Sequence, residues 1–308
     1  MGSPVVSIVV VNYNGASVLE RFLESVRSCD YAALEVLVVD NASTDDSVAR
    51  LEAMEDVTVV ASPSNLGFGR GCNLGVAQAH GELLLFANPD IQLYPDAISV
   101  MVDDLLGTLG AAVVCATLIE PGMRHDRERR VEEVASMAAA AMLVERAHFE
   151  YIGGFDPEIF LYSEDTDLCF RTWLVGRRVL KAWNAVAVHE LAGSGGGERF
   201  SAEQIKNGLY IYLKLRAWPA VVRYSCRMAV KTVVRGLRLR DPGVLGAWWS
   251  NLRRLRSTLA KRRAIRDAAA PADRAMLERL GAEHSYWERR SWRTRALRGL
   301  RRRPTRSP

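Results

Sequence analysis

Residues 6–40 read VSIVVVNYNGASVLERFLESVRSCDYAALEVLVVD, and the periodicity of this stretch changes twice. From Val5 to Val11 the chain is an almost continuous β-branched run closed by Asn12, Tyr13, Asn14 and Gly15, the pattern of a buried parallel strand that enters a loop. Between Ala16 and Ser28 the apolar positions Val18, Leu19, Phe22, Leu23 and Val26 recur at helical spacing, and Glu35 to Val39 returns to a short strand that ends at Asp40. Strand, helix, strand is the unit from which a parallel sheet is built.

The same alternation continues outward. A helix is expected from Asn41–Ser47 to Met54, a strand at Val57–Ala61, a helix at Gly69–His80 and a strand at Leu83–Ala87. The fold class is therefore α/β, a mostly parallel sheet flanked by helices. In such sheets ligands sit beyond the carboxyl ends of the strands. The polar residues fall there: Asn12 and Tyr13 after the first strand, Asp40 and Asn41 after the second, Asn88 to Asp90 after that of Leu83–Ala87. Further along, Gly122 to Glu133 reads as a mobile loop, Ala138 to Val144 as a buried segment and Gly153 to Asp156 as a turn. The acidic run Glu164, Asp165, Asp167 follows, and Val179 to Val188 is a strand that ends at His189.

With 308 residues, 49% hydrophobic and 25% charged, the chain can bury a substantial core, which excludes wholesale disorder. No run of about 18 apolar residues occurs, and Met1 to Val11 lacks the pattern of a signal peptide, so a cytoplasmic protein that crosses no membrane is expected. Five dispersed cysteines without a CxxC pair indicate neither a disulfide framework nor a zinc cage. The net charge of +5 hides an asymmetry: residues 1–204 hold 14 Lys/Arg against 30 Asp/Glu, net −16, and residues 205–308 hold 27 against 6, net +21. An acidic part suits a metal or polar substrate; a basic arm suits an anionic polymer or membrane surface.

The order of motifs, VSIVVVNYN, EVLVVDNASTDDS, NLGFGRGCNLGV, LLLFANPD, GGFDPEIFLYSEDTDLCFR and His189, resembles the family 2 inverting glycosyltransferases, and most closely their rhamnosyltransferase-like branch. The resemblance spans Val5 to Ser194 and implies the GT-A (Rossmann-like) fold, a nucleotide-sugar donor such as dTDP-rhamnose and a divalent cation, Mg or Mn. It further implies a lipid-linked glycan acceptor, in the synthesis of surface polysaccharide or cell wall. By the same resemblance Asp40 contacts the base with Tyr13 beside it, and Asn12, Asn65, Asn73 and Asn88 belong to the donor pocket. Asp90 is the metal ligand in an Asp-x-Asp motif whose first Asp is here Asn88, and His189 completes the metal or diphosphate shell. Asp165 is the base and Glu164 holds the acceptor or braces the site.

Other readings stay open at this level. Asp40 and Ser43 also suit a helix cap, Asn88-Pro89-Asp90 also suits a turn, and a lone histidine also suits a structural role. A helix N-terminus lowers the pKa of Glu164 and Asp165 while crowding raises it, so sequence leaves the sign undecided. Ser163 is the expected N-cap, and Asp167 lies one turn from Arg171. Where relatives carry Gly near the acceptor, this chain has Ala138 and Ala139.

In the basic arm, residues 205–308, the cations Arg216, Arg223, Arg227, Lys231, Arg235 and Arg238 fall on one helical face, opposite Trp218, Val221, Val222, Tyr224, Met228, Val230, Val233, Val234 and Leu237. Such a helix suits an anionic membrane surface, here the inner face of the cell membrane, with a partly disordered tail at Arg289–Arg306. The alternatives are packing on the catalytic domain and nucleic-acid binding; no base-reading motif accompanies the charge, so nucleic acid is not expected. For the whole chain the rival is a non-catalytic scaffold or nucleic-acid binder with a degenerate transferase domain.

Overall fold

The computed structural model describes residues 2–190, 199–239 and 243–282. In chain order the strands are β1 (Val6–Asn12), β2 (Leu34–Asp40), β3 (Thr58–Ala61), β4 (Leu83–Ala87), β5 (Ile91–Leu93), β6 (Ala111–Ile119), β7 (Val131–Glu133), β8 (Ala141–Glu145) and β9 (Arg178–His189). The helices are α1 (Ala16–Arg27), α2 (Ser47–Glu52), α3 (Phe68–Val76), α4 (Ala97–Gly107), α5 (Arg146–Tyr151), α6 (Glu164–Leu174), α7 (Arg199–Leu215), α8 (Trp218–Leu239), α9 (Gly243–Arg253) and α10 (Leu255–Arg262), followed by a helical segment over 271–282.

Every residue of β1 is buried, as its β-branched run requires. Val6, Ile8 and Val10 point into a core shared with α1 and α4, while Val9 and Val11 point into one shared with α3 and α6. The period of two along the strand thus supplies both layers. The sheet order is β3-β2-β1-β4-β8-β6-β9-β5, with β7 also paired to β9. β1 pairs in parallel with β2 and β4, β2 with β3, and β6 with β9; β5, β7 and β8 run the other way. The carboxyl ends of β1, β2 and β4 are therefore neighbours.

The C-terminal helices build on this frame. α7 runs through position 204 without a break, and its Tyr210, Ile211 and Leu215 enter the α3–α6 core together with Leu277 and Leu280. A smaller core of Ile205, Leu209, Met228, Val244 and Ala247 joins α7, α8 and α9.

Four local expectations are corrected. Residues 41–46 form a loop, and the helix is confined to α2. Ala42 takes a left-handed φ of 64°, and the amides of Ser43 and Thr44 that a helix would use internally donate to the side chains of Asp40, at the end of β2, and Asn14, in the neighbouring loop. Within 122–133 the last three residues form β7, fixed by the Arg178–Glu133 ion pair and by a bond from Trp183 Nε1 to Glu132 Oε2. Arg216 leaves the basic stripe: the helix stops at Leu215, Arg216 is buried against Glu278, and the Ala217 amide donates to the same carboxylate. The apolar face of α8 also divides, with Val221 and Met228 turned inward and Trp218, Val222, Val230, Val233 and Val234 exposed. Ser194, the side chains of Arg235, Leu237 and Arg238, and the tail from 283 onward lie outside the described residues.

Candidate active site

The first wall of the site is the paired end of β1 and β2, where Asn12 sits opposite Asp40. Asn12 Nδ2 donates to Asp40 Oδ1 and to Ser43 Oγ, both at 3.2 Å, and the Ser43 amide donates to Asp40 Oδ2 at 3.0 Å. Asp40 is only 3% exposed, and these donors fix its orientation while leaving acceptor capacity on both oxygens. Tyr13, next to it, is 52% exposed and available to a planar ligand. The two loops are cross-tied, Thr44 N to Asn14 Oδ1 at 2.7 Å and Ala16 N to Asp45 Oδ2 at 3.1 Å, so Asp45 serves as a cap for α1.

Asn41, for which the sequence carries no local signal of a role, organises the next loop. Its Nδ2 donates to Asn65 Oδ1 at 3.1 Å and to Gly67 O at 3.2 Å, and its Oδ1 accepts from Leu66 N at 2.8 Å. Gly67 has a φ of 78°, and a Cβ there would stand 1.9 Å from Phe160 O, so only glycine fits this approach to the segment before α6. Asn73 spends both ends of its amide on Phe155, donating to O at 2.9 Å and accepting from N at 3.0 Å. It braces the 153–156 turn from within α3. Arg70 donates to Pro157 O at 2.7 Å.

The second wall follows β4. The Asn88 amide donates to Ala140 O at 3.1 Å, and Asp90, buried, precedes β5. Because β5 pairs with the end of β9, with Ile91 opposite His189, the His189 ring reaches Asp90: Nε2 lies 3.2 Å from Oδ1. That contact falls outside hydrogen-bonding geometry, and the buried Nε2 has no hydrogen-bond partner among the described residues.

The third wall is the start of α6. Ser163 occupies the N-cap position but takes a left-handed φ of 74°, and its side chain makes no cap bond, which corrects its expected role. Asp165 Oδ2 accepts from the Ala139 amide at 3.3 Å, and Oδ1 accepts from Thr166 Oγ1 at 3.1 Å. The pair Ala139 and Ala140 therefore connects the Asp165 carboxylate with the Asn88 backbone. Glu164 is buried, and its Oε2 has no hydrogen-bond partner among the described residues. The sign left open by sequence is upward: burial, then the charge of Asp165, pushes Glu164 up to about 8. Burial also raises Asp165, opposed by hydrogen bonds from Thr166 and Ala139. Asp167 is turned away from the other two acids, with its Oδ2 2.8 Å from Arg171 Nε.

The four non-glycine residues of left-handed φ among those described, Asn14, Ala42, Tyr162 and Ser163, all lie in the loops that carry these groups. Concentrated backbone strain of this kind marks functional loops. Among the described residues no three His, Cys, Asp or Glu side chains gather as a metal cage. Asp90 and His189 nevertheless place a hard oxygen and a ring nitrogen side by side, a donor pair whose chemistry fits a cation whose other ligands come from a bound diphosphate.

The chain is similar to known proteins in sequence and in fold. An N-acetylglucosaminyl-diphospho-decaprenol L-rhamnosyltransferase of Mycobacterium tuberculosis is 29% identical over 276 residues, covering 72% of this chain and 89% of its own. Among solved structures, a mannosyltransferase from Pyrobaculum calidifontis in complex with GDP-Man and Mn²⁺ has a TM-score of 0.59 at 20% identity, covering 94% of this chain and 83% of that one. S. aureus TarS 1–349 in complex with UDP-GlcNAc has a TM-score of 0.57 at 17% identity, covering 79% of each chain. The GT-A fold is the one shared with these structures. The model of glycosyl transferase family 2 matches residues 7–183, and with its sheet and its relatives in accord, the chain belongs to that family and is a glycosyltransferase.

Proposed function

We propose that the chain transfers rhamnose from dTDP-rhamnose, with inversion, to a lipid-linked glycan acceptor in the synthesis of surface polysaccharide or cell wall. The activity by which the mycobacterial relative is named supports the sugar and the acceptor class. The observation that carries the mechanism is Asp165, a carboxyl of raised pKa held by the Ala139 amide near the Asn88 backbone. Asp40 accepts from the base or ribose, Tyr13 brackets the base, and Asn12 and Asn65 shape the pocket, with Asn73 holding its floor. Asn88, Asp90 and His189 face the diphosphate, and Asp90 and His189 would hold Mg²⁺ or Mn²⁺. When bound, that cation neutralises charge on the departing diphosphate.

In the transfer step the acceptor oxygen attacks the anomeric carbon from the face opposite the nucleotide. The bond from that carbon to the diphosphate oxygen breaks, its electron pair leaves with the nucleoside diphosphate, and the acceptor proton passes to Asp165. Glu164 braces the acceptor side. The test is dTDP release from dTDP-rhamnose with Mn²⁺ and a polyprenyl-diphospho-GlcNAc acceptor: acceptor-dependent release supports the reading, and none with this donor overturns the choice of sugar.

Residues 1–204 carry the groups that bind and transfer in this reading; within 205–308, α7 packs into the same core and the exposed face of α8 attaches the chain to the inner, cytoplasmic face of an anionic membrane. No helix among the described residues is long and apolar enough to cross a membrane. On α8, however, exposed Trp218, Val222, Val230 and Val233 run beside exposed Arg223, Arg227 and Lys231, apolar contact flanked by positive charge. Co-sedimentation of the full chain with phosphatidylglycerol vesicles, lost in salt and absent with phosphatidylcholine, is the expected result; equal binding to both overturns the electrostatic attachment.

A further inference from the structure

Tyr162 and Ser163 are consecutive left-handed residues, with φ of 70° and 74°, and the next two residues are Glu164 and Asp165. Each crowds its Cβ against the backbone, so the turn persists only if something outside it holds it. That support comes from α7. Asn207, 2% exposed, donates from Nδ2 to Leu161 O at 2.8 Å and to Tyr162 O at 2.9 Å. The two amide hydrogens of one side chain thus satisfy two successive carbonyls. Two helical turns on, Lys214 Nζ, 1% exposed, lies 2.6 Å from Asp156 Oδ2 and also pairs with Asp167 Oδ1. α7 therefore holds the segment on both sides of the acidic pair, at 156 and 161–162 before it and at 167 after it.

We propose that Asn207 is a positioning residue for the catalytic base: it holds the left-handed turn that sets the direction in which α6 presents Glu164 and Asp165. The inference rests on reading Asp165 as the base. It also gives the helices beyond the family match a part in the reaction, since the matched region stops at 183.

The test compares the full chain with Asn207→Leu, similar in size but without the two donors, and with Asn207→Leu combined with Ser163→Gly, because glycine enters the left-handed region without Cβ crowding. Amide hydrogen exchange over 163–168 should quicken about tenfold in Asn207→Leu while β1 stays protected. With dTDP-rhamnose and Mn²⁺ as probe, kcat for dTDP release should fall about 10²-fold, the scale of a ~1 Å misplacement, with donor KM changed less than about twofold. The double variant should recover most of that kcat. Unchanged exchange over 163–168, a loss carried by KM alone, or no recovery with glycine overturns the inference. If the wild-type chain releases no dTDP, the reading of donor and base fails separately, and the exchange result alone decides whether Asn207 fixes the turn.

Discussion

Nε2 of His189, at the end of β9, lies 3.2 Å from Oδ1 of Asp90, at the foot of β5, and the two are brought together by a single antiparallel pairing, Ile91 opposite His189. The short β5 strand turns the chain after β4 so that a carboxylate meets a histidine across the sheet edge. Their contact lies outside hydrogen-bonding geometry, and in the proposed reading the two side chains share a cation.

His189→Ala should therefore raise the Mn²⁺ concentration for half-maximal activity about tenfold, the lower end of what loss of one contributor to a metal site costs. A Mn²⁺ titration of initial rates checks this. An unchanged midpoint would assign the histidine to the diphosphate alone.

The acidic pair makes activity and stability respond to pH in opposite senses. In the proposed mechanism transfer needs Asp165 ionised, so kcat/KM should rise with pH through an apparent pKa above the ordinary carboxylate range, and Glu164→Gln should move that limb to lower pH by removing a neighbouring negative charge. For stability, a folded-state pKa raised above the unfolded value means that the folded protein binds the extra proton. The pair's contribution is then most favourable below pH 4.5 and is lost as pH rises towards about 8. Glu164→Gln should flatten that fall in thermal unfolding scans.

Lys214→Met should destabilise the fold by about 3 kcal/mol, since it leaves two buried carboxylates without their shared ammonium. Arg171 on Asp167 and Tyr210 on Asp156 keep the loss from being larger. Burial acts to raise Asp156, but the Lys214 ammonium, adjacent hydrogen bonds among them that of Tyr210, hold it well below the usual range. That stabilisation is present above the unfolded carboxylate pKa and is lost as pH falls. Urea unfolding should accordingly show wild type and variant converging in acid.

Gly67→Ala should cost more than about 1 kcal/mol, because the residue needs a left-handed φ and the added Cβ meets the Phe160 carbonyl. Donor KM should rise as the Asn65 loop shifts. Denaturant midpoints and donor titration measure the two effects.

The regions of the fold that could be read from sequence are those where one period dominates. β1, α1, β2 and β4 follow directly from β-branched runs and from Val18, Leu19, Phe22, Leu23 and Val26. Over 91–120, apolar residues are so dense that helix and strand periods overlap, and α4 and β6 carried no separate signal. In the basic arm the cation spacing ran on through Ala217, whereas the break there is made by Glu278, distant in sequence. At the site, Asp40, Asp90 and Asp165 stand out as acids at strand ends or a helix start, and the family resemblance supplies the role expected of each. Asn41, the Ala139 amide, Asn207 and Lys214 could not, because a backbone donor or a long-range side-chain contact leaves no local pattern. The pKa sign of Glu164 and Asp165 depended on burial, which only packing reveals.

The central claim is that Asp165 takes the proton of the acceptor hydroxyl as that oxygen attacks a donor held by the other two walls of the site. The most direct measurement pairs calorimetric binding of dTDP-rhamnose in Mn²⁺ with turnover of Asp165→Asn. The account predicts donor affinity within about twofold of wild type and transfer reduced by about 10²-fold or more. Near wild-type turnover in that variant would contradict it.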